Sequence, residues 1–346
     1  MGEYSAYIEE LSGELEQRCI CDINITPKVS VIVPVYNLED LISETLMSLI
    51  NQTFKDFEII VLNDGSKDNS LSIISVFAQF DKRIKIVNQE NQGLGAARNN
   101  ALCFAKGEYI LYLDGDDLLS NDAIEILVES MNKDDFDFVV FGAYNYHSSK
   151  KSVGSYSYQK LPKFLRNKIL ENNDEIFSNL FRFPRTAWSK FYRKDFVIKN
   201  GLKFQEKVTG EDQLFFVNAF INANKIMVLE KNLYYYRRAR KNSLTFSKVR
   251  NTTDLIKIFY AVEEIVSTYN KINSEFIIKK YLQKAIVGLS KCSKEYRVFY
   301  YAEMLKMFHF VSEKYPNLEL NKLKINQNDS YLSLKLKLYF INLCWR

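Results

Sequence analysis

The chain has 346 residues, with 47 Lys and Arg against 42 Asp and Glu, and 47% of its residues are hydrophobic. This balance is that of a globular protein, and it excludes a disordered chain, a collagen-like repeat and a pure linker. A net charge of +5, spread over this length, does not favour a nucleic-acid-binding protein.

Short apolar runs alternate with helical patterns through the first third of the chain. The predicted elements are strand 29–34, helix 41–49, strand 57–62, helix 69–80, strand 83–88, helix 96–106 and strand 108–113. This alternation predicts a parallel α/β sheet with right-handed crossovers. Ligands of such sheets bind beyond the carboxyl ends of the strands, so the polar residues there are candidate site residues.

The pattern is less regular after residue 113. It predicts a strand over 136–146, an exposed polar loop over 148–160, a helix over 212–223 and a strand over 225–230. Beyond residue 252 the patterns are long and helical. We therefore expect three parts: a helical leader over 1–28, an α/β domain over 29–246 and a helical domain over 247–346.

An acidic motif, Asp114-Gly115-Asp116-Asp117, directly follows a predicted buried strand. Carboxylates presented together repel one another, and a divalent cation such as Mg²⁺ or Mn²⁺ relieves that repulsion while phosphate oxygens complete its shell. An acidic turn in which Asp117 caps the next helix explains the motif equally well.

Two other strand ends carry weaker signals. Asp64 ends the second strand, where its carboxylate can bond a base edge or a ribose hydroxyl, or can simply belong to a turn. Tyr36 follows the first strand, where its ring can stack on a base or pack in the core.

The segment Gly93-Leu94-Gly95-Ala96-Ala97-Arg98 invites the dinucleotide-binding reading of GxGxxG. That reading fails, because Arg98 stands in place of the last glycine and the unit is third along the sheet. A cation one turn into this helix is expected to face the phosphate side, where a helix amino terminus also favours an anion.

Together these motifs resemble the inverting family 2 glycosyltransferases. The resemblance is nearly continuous over 29–122, and AWSKFYR (187–193), GEDQLF (210–215) and YYYRRARKNSLT (234–245) extend it. It implies the GT-A fold, a Rossmann-like and mostly parallel central sheet flanked by helices. The helices after residue 247 resemble nothing in the family and would form a C-terminal domain.

The resemblance also implies roles for individual residues. Those assigned to the nucleotide sugar are Pro34, Tyr36, Asp64, Asn91, Arg98, Asp114, Trp188, Lys190, Arg237 and Ser243. Within this set, Asp64 would bond the uracil ring, and Trp188 with Lys190 would form the floor of the sugar site. A tryptophan in the core is the alternative for Trp188.

The metal and the general base are implied in the same way. Asp116, with Asp114 nearby, would hold Mn²⁺ or Mg²⁺. In the pair Glu211-Asp212, Asp212 is favoured as the base and Glu211 is the alternative. Carboxylates at a helix start are also common for purely structural reasons, because the helix dipole stabilises them.

The implied function is transfer of a sugar from a UDP-sugar donor to a hydroxyl of a glycan or polyprenyl-linked glycan acceptor, in cell-surface polysaccharide synthesis such as that of a capsule or exopolysaccharide. A non-catalytic nucleotide-sugar-binding subunit and a sugar nucleotidylyltransferase are the alternatives. A nucleotidylyltransferase would be expected to carry a glycine-rich, basic loop directly after the first strand. That alternative lacks support, because the segment there has no glycine or lysine. No nucleic-acid partner is expected, and assembly into a homo-oligomer stays open.

The cellular location of the protein is predicted from three features of the sequence. The scattered cysteines and the acidic start without an apolar run predict the cytoplasm. The end of the chain, 331–346, alternates leucine with lysine and finishes in Trp-Arg, which indicates either a peripheral contact with the inner face of the plasma membrane or an edge element of the last domain.

Overall fold

The computed structural model describes residues 26–147, 152–157, 162–171, 175–176, 179–238, 253–268, 274–291 and 297–318. The chain divides into two units, one of residues 1–207 with 211–241 and one of residues 208–210 with 242–346. The predicted boundary at residue 246, the segment 331–346 and nearly all of the predicted leader lie outside the described residues.

The first unit is built from strands and helices that alternate through residue 131. Its strands are β1 Val29–Val35, β2 Phe57–Asp64, β3 Ile84–Gln89, β4 Tyr109–Tyr112, β5 Leu118–Leu119, β6 Phe138–His147, β7 Ser152–Ser157, β8 Lys168–Glu171, β9 Lys190–Arg193 and β10 Lys225–Arg237. Its helices are α1 Ile42–Ile50, α2 Ser70–Phe80, α3 Leu94–Leu102, α4 Ala123–Met131, α5 Lys194–Lys199 and α6 Asp212–Asn222.

The strands form one sheet in the order β3-β2-β1-β4-β9-β6-β10-β5, with β7 beside β6 and β8 beside β10. The first four strands in this order are parallel, and in the register Ile32 lies opposite Ile60 on one side and Tyr112 on the other. Every residue of β1 and β2 is buried, as expected for strands that helices cover on both faces. The predicted α/β sheet is confirmed.

The predicted strands over 29–34, 57–62 and 83–88 agree closely with β1, β2 and β3 because continuous β-branched runs mark buried parallel strands. The predicted helix over 96–106 is shifted, since α3 begins directly after Gly93, which has a φ of 88°. The predicted loop over 148–160 is wrong in part. Strand β7 lies within it and pairs antiparallel with β6.

The second half of the sheet is mixed: the predicted strands 136–146 and 225–230 correspond to β6 and β10, whereas β9 was not predicted. Strand β9 lies between β4 and β6 and is antiparallel to both. Strand β10 continues the predicted strand 225–230 through the aromatic run that follows, and its register with β6 shifts near Asn232. A side chain at Gly142 would place its Cβ 2.1 Å from the Asn232 Oδ1, so any other residue there would require the Asn232 side chain to move.

In its described residues the second unit consists of the helices α7 Thr253–Ser267, α8 Ser274–Lys291 and α9 Arg297–Lys314, with a short helical turn after them. The Tyr315 hydroxyl donates to Glu263 Oε1 at 2.6 Å, and Lys314 pairs with the same oxygen. This buried carboxylate therefore ties α7 to the end of α9. Across the described part of the chain, no helix has the length and apolar character that a membrane-spanning segment requires.

Candidate functional site

The loops that follow β1 and β2 are joined by hydrogen bonds at the carboxyl end of the sheet. The Asn37 backbone N–H donates to Ser66 Oγ at 3.1 Å, and Lys67 N–H donates to Asn37 Oδ1 at 2.8 Å. Asn37 takes a φ of 52°, a conformation that asparagine tolerates better than most residues. Tyr36, which precedes it, is 42% exposed, so this bonded loop presents the aromatic ring to solvent.

Asp64 organises the next loop and has little open surface. It is only 3% exposed, and its carboxylate accepts hydrogen bonds from Gln89 Nε2 at 2.7 Å and from the backbone N–H groups of Gln92 and Gly93, each at 2.9 Å. These bonds use three of the about four acceptor positions of a carboxylate. Asn91, within this loop, is exposed.

Gly65 and Gly115 allow close approaches beside these loops. Gly65 has a φ of 68°, and a Cβ there would lie 2.8 Å from Asn91 N. A Cβ on Gly115 would lie 2.8 Å from the carbonyl oxygen of Pro34, which is buried at the end of β1. The acidic motif is therefore held against the end of β1.

Asp117 is a structural carboxylate of the acidic motif. Its Oδ2 accepts from the Tyr234 hydroxyl and its Oδ1 from Arg237 N–H, both at 2.7 Å. Burial, followed by the nearby charges of Asp116 and Asp114, raises the pKa of Asp117 well above its usual range. The motif does form a turn, in which Asp117 N–H donates to the Asp114 carbonyl oxygen at 3.0 Å, but the predicted cap is wrong: the Asp117 side chain fastens the motif to β10. Asp114 and Asp116 are half-buried.

Arg98 links the acidic motif to the loop before α6. Its guanidinium lies 2.5 Å from Asp114 Oδ1 and 2.7 Å from Glu211 Oε1, and the side chain is 3% exposed. Burial lowers the pKa of Arg98, but the charges of Asp114 and Glu211 outweigh it and raise the pKa above the usual value. The prediction had Arg98 facing a phosphate, whereas here both of its terminal nitrogens contact carboxylates of the protein.

Asp212 is the first residue of α6 and is half-buried. Burial and the neighbouring charge of Glu211 raise the pKa of Asp212 to about 6, although Arg98 opposes the shift. Gln213 Nε2 donates to its Oδ1 at 3.1 Å. Since Glu211 is paired with Arg98, Asp212 is the carboxylate of the two that is suited to accept a proton near neutral pH.

Trp188 and Lys190 are both buried. The indole of Trp188 stacks on Tyr234 with ring centroids 4.1 Å apart. Lys190 is fully buried, and its ammonium donates to the carbonyl oxygens of Pro184 and Thr186 at 2.6 and 2.8 Å. Burial lowers the pKa of Lys190 to about 7, while Asp212 acts in the opposite direction. Both residues thus support the site through the protein interior, and neither is open to solvent.

Arg237 lies at the end of β10, and its side chain is almost completely buried. Its Nε donates to the Asp116 carbonyl oxygen at 2.7 Å, and its Nη2 lies 2.9 Å from Glu44 Oε2. The cation is therefore fixed beside the acidic motif, where it was predicted to hold the diphosphate. Ser243, assigned to the same role, lies outside the described residues.

Comparison with known proteins assigns the chain to a family. Residues 30–191 match the profile of "Glycosyl transferase family 2". The chain is 31% identical over 241 residues to the glycosyltransferase GlyG of Streptococcus pneumoniae, covering 67% of this chain and 78% of GlyG. The chain belongs to glycosyltransferase family 2. The resemblance predicted from its motifs is confirmed.

The chain also resembles a second bacterial glycosyltransferase in sequence and a solved structure in fold. The chain is 35% identical over 224 residues to EpsJ of Bacillus subtilis, an uncharacterized glycosyltransferase, and the match spans 63% of each protein. A crystal structure of Staphylococcus aureus TarS, residues 1–349, superposes with a TM-score of 0.67 at 23% identity, over 82% of this chain and 81% of that one. This likeness confirms the predicted GT-A fold of family 2.

The acidic motif suits a divalent metal in its donor chemistry. Asp114 and Asp116 are half-buried and offer hard carboxylate oxygens, whereas Asp117 is buried and each of its two oxygens accepts a hydrogen bond, from Tyr234 or Arg237. Mg²⁺ and Mn²⁺ are typically bound by one or two carboxylates with phosphate oxygens and water. Among the described residues, no group of three or more His, Cys, Asp or Glu side chains is placed to hold a metal ion.

Sequence reasoning missed two residues that hold the site together. Tyr234 contacts Trp188 and accepts from Asp114 N–H at 3.2 Å while it donates to Asp117. Its position in an aromatic run was the only signal it gave. Glu44 lies in α1 and pairs with Arg237 from 193 residues away, a contact for which the pattern offered no sign.

Proposed function

We propose that this protein is an inverting glycosyltransferase that moves a sugar from a UDP-sugar to a hydroxyl group of a glycan or polyprenyl-linked glycan acceptor. The observation that carries the proposal is the buried guanidinium of Arg98, which joins Asp114 of the acidic motif to Glu211 beside Asp212. In the proposal, this pairing holds the base, Asp212, and the leaving-group site at the acidic motif in place relative to each other. The TarS structure compared above was solved with UDP-GlcNAc, which supports the choice of a UDP-sugar.

In the proposed reaction, Asp212 accepts the proton of the acceptor hydroxyl as its oxygen attacks the anomeric carbon of the donor. The bond from that carbon to the diphosphate breaks, and UDP leaves with the electron pair. Attack from the face opposite the diphosphate inverts the anomeric configuration. Base catalysis of this kind contributes typically ~10²- to 10⁴-fold to the rate.

The proposed reaction also requires that the negative charge on the departing diphosphate be neutralised. Arg237 lies beside the acidic motif with its cation fixed by Glu44 and the Asp116 carbonyl, so its positive field is directed at that motif. Asp114 and Asp116 would hold Mn²⁺ or Mg²⁺, which when bound neutralises phosphate oxygens. Tyr36 would cover one face of the uracil ring, with Asp64 and Asn91 at its edge.

The proposal is tested by incubating the full chain with a panel of UDP-sugars and Mn²⁺ and measuring UDP release. One donor is expected to be turned over, and both EDTA and Asp116→Ala are expected to abolish turnover and weaken UDP binding. Asp135→Ala is a matched control, because that carboxylate is 91% exposed and pairs only on the surface. UDP binding without turnover of any donor would favour the non-catalytic subunit, and equal UDP affinity with and without metal would contradict the metal assignment.

The acceptor and the cellular location of the protein are part of the same proposal. The family resemblance points to cell-surface glycans as acceptors. We propose action at the inner face of the plasma membrane, where a polyprenyl-linked acceptor is presented. Flotation with anionic vesicles, comparing the full chain with one that ends before Tyr331, tests whether residues 331–346 form the contact.

A further inference from the structure

The loop that precedes α6 is closed on itself. Gln205 N–H donates to the Glu211 carbonyl oxygen at 3.1 Å, so the two ends of the loop meet. A Cβ on Gly95, in the first turn of α3, would lie 2.3 Å from the Gln205 carbonyl oxygen. The base of the loop therefore packs directly against the backbone of α3, the helix that carries Arg98.

Two residues between these ends have a positive φ: Lys207 at 55° and Gly210 at 93°. Glycine adopts such angles readily, whereas for lysine the conformation is uncommon and costs free energy. The conformation of Lys207 therefore depends on contacts that hold the loop in this shape.

Asp254, the second residue of α7, supplies such a contact. Its Oδ2 accepts a hydrogen bond from Thr209 N–H at 2.8 Å, and the residue is only 3% exposed. Its other oxygen lies 3.4 Å from Lys257 Nζ, and that lysine is more than half exposed. Residues Val208–Gly210 belong to the same unit as α7, so the bond lies within the helical unit.

We propose that Asp254 is a positioning residue for Asp212. Only Gly210 and Glu211 separate Thr209 from Asp212 along the chain. A bond that fixes the Thr209 backbone therefore restricts the short stretch of chain that leads into Asp212. The inference rests on the proposed function, in which Asp212 is the base.

The geometry also separates this role from a catalytic one. The Asp254 carboxylate is buried and is engaged by Thr209 and Lys257. What matters at this position is an acceptor oxygen directed at Thr209 N–H, and the negative charge is secondary. An asparagine offers the same kind of oxygen, whereas an alanine offers none.

The experiment compares Asp254→Ala, Asp254→Asn and Lys257→Ala in the full chain, with the UDP-sugar that supports turnover as donor. Asp254→Ala is expected to lower kcat ~10-fold, because small misplacements of a reacting group are costly, while the donor KM and the Kd for UDP change less than ~2-fold. Asp254→Asn is expected to restore kcat to within ~3-fold of the unmodified protein, since the acceptor oxygen is retained. Lys257→Ala leaves the Thr209 bond in place and is expected to leave kcat unchanged.

A matched control addresses loss of stability in the helical unit. Tyr315→Phe removes a buried hydrogen bond to Glu263 in that unit and leaves the loop untouched. It is expected to lower Tm as Asp254→Ala does, without lowering kcat. If Tyr315→Phe lowers kcat as much as Asp254→Ala, or if Asp254→Asn is as impaired as Asp254→Ala, the positioning role is wrong.

Asp212→Asn separates failure of this inference from failure of the proposed function. If Asp212→Asn is inactive and Asp254→Ala keeps full kcat, only the positioning role is overturned. If Asp212→Asn keeps full turnover, the base assignment fails, and the role given to Asp254 fails with it.

Discussion

The two sides of the candidate site are held by different interactions. On the nucleoside side, formed by Tyr36, Asp64 and Asn91, the loops are joined by hydrogen bonds to backbone N–H groups, and Tyr36 and Asn91 are exposed. On the transfer side, formed by the acidic motif with Arg98, the Glu211-Asp212 pair and Arg237, buried cations pair with carboxylates.

This difference separates affinity from turnover. An exposed aromatic ring contributes to binding of the nucleotide and little to the folded state. A buried cation paired with two carboxylates contributes to the folded state as well as to the site. Removal of one partner leaves uncompensated charge in the interior. We therefore expect a change to the exposed Tyr36 to weaken UDP binding alone, and changes to the buried Arg98 or to Asp212 to reduce stability or turnover.

The largest effect is expected from Arg98→Met. This change leaves Asp114 and Glu211 without their shared cation and should lower the free energy of unfolding by about 3–5 kcal/mol. Denaturant titration measures it. Arg166→Met is the control, since Arg166 pairs with the half-exposed Glu230 and exposed pairs contribute about 0–1 kcal/mol. Equal losses for the two variants would remove the contrast between the two sides.

Asp212→Asn should reduce kcat at least ~10²-fold, which corresponds to about 2.7 kcal/mol of transition-state stabilisation. The Kd for UDP should stay within a few-fold, because the nucleoside side is unchanged. Calorimetry with UDP and steady-state rates measure the two quantities. An inactive Glu211→Gln beside an active Asp212→Asn would exchange the roles of the two carboxylates.

The pH dependence of turnover sharpens the same assignment. Burial and Glu211 raise the pKa of Asp212 to about 6, and only the ionised carboxylate can accept a proton. We expect kcat to fall ~10-fold for each pH unit below about 6 and to level off above it. A profile that stays flat through this range would exclude Asp212 as the titrating base.

The same raised pKa has the opposite consequence for stability. Because the folded state holds the Asp212 proton more tightly than the unfolded chain, whose aspartate pKa is near 3.8, its contribution to stability is complete below that value. The contribution is lost as the pH rises through about 6. Asp212→Asn should remove this part of the pH dependence of unfolding.

The smallest effect is expected on the nucleoside side. Tyr36→Ala should raise the Kd for UDP ~5- to 10-fold, since stacking of a base on an aromatic ring is worth about 1–3 kcal/mol and Tyr36 is partly exposed. The kcat at saturating donor and the free energy of unfolding should not change. Tyr36→Phe keeps the ring and should bind UDP normally. A fall in kcat for Tyr36→Ala would contradict the assignment of Tyr36 to UDP binding alone.

The parallel half of the sheet could be predicted because its signals are local. Strands β1 and β2 are β-branched runs buried on both faces, and each is followed by a polar turn. The insertion of β9 between β4 and β6 could not be predicted, since its four residues carry no alternation of their own. Its neighbours are distant in sequence, and only packing selects them.

For the site, the motifs located the residues but not their partners. Asp114, Arg98 and Asp212 each stand in a recognisable motif, and the structure brings Arg98 between Asp114 and Glu211. The pairing of Arg98 with Glu211 joins residues 113 apart, and it changes the expected role of Arg98 from a phosphate contact to an internal link.

The sequence by itself determined the family, the parallel β-strands and the residue types available at the strand ends, because periodicity and short motifs are properties of neighbouring residues. Tertiary structure alone decided which charges are paired and which stay available. Glu211 and Asp212 are adjacent acids with the same local pattern, yet Arg98 holds one and burial raises the pKa of the other to about 6. Pairing and burial depend on contacts across the fold, and no local pattern records them.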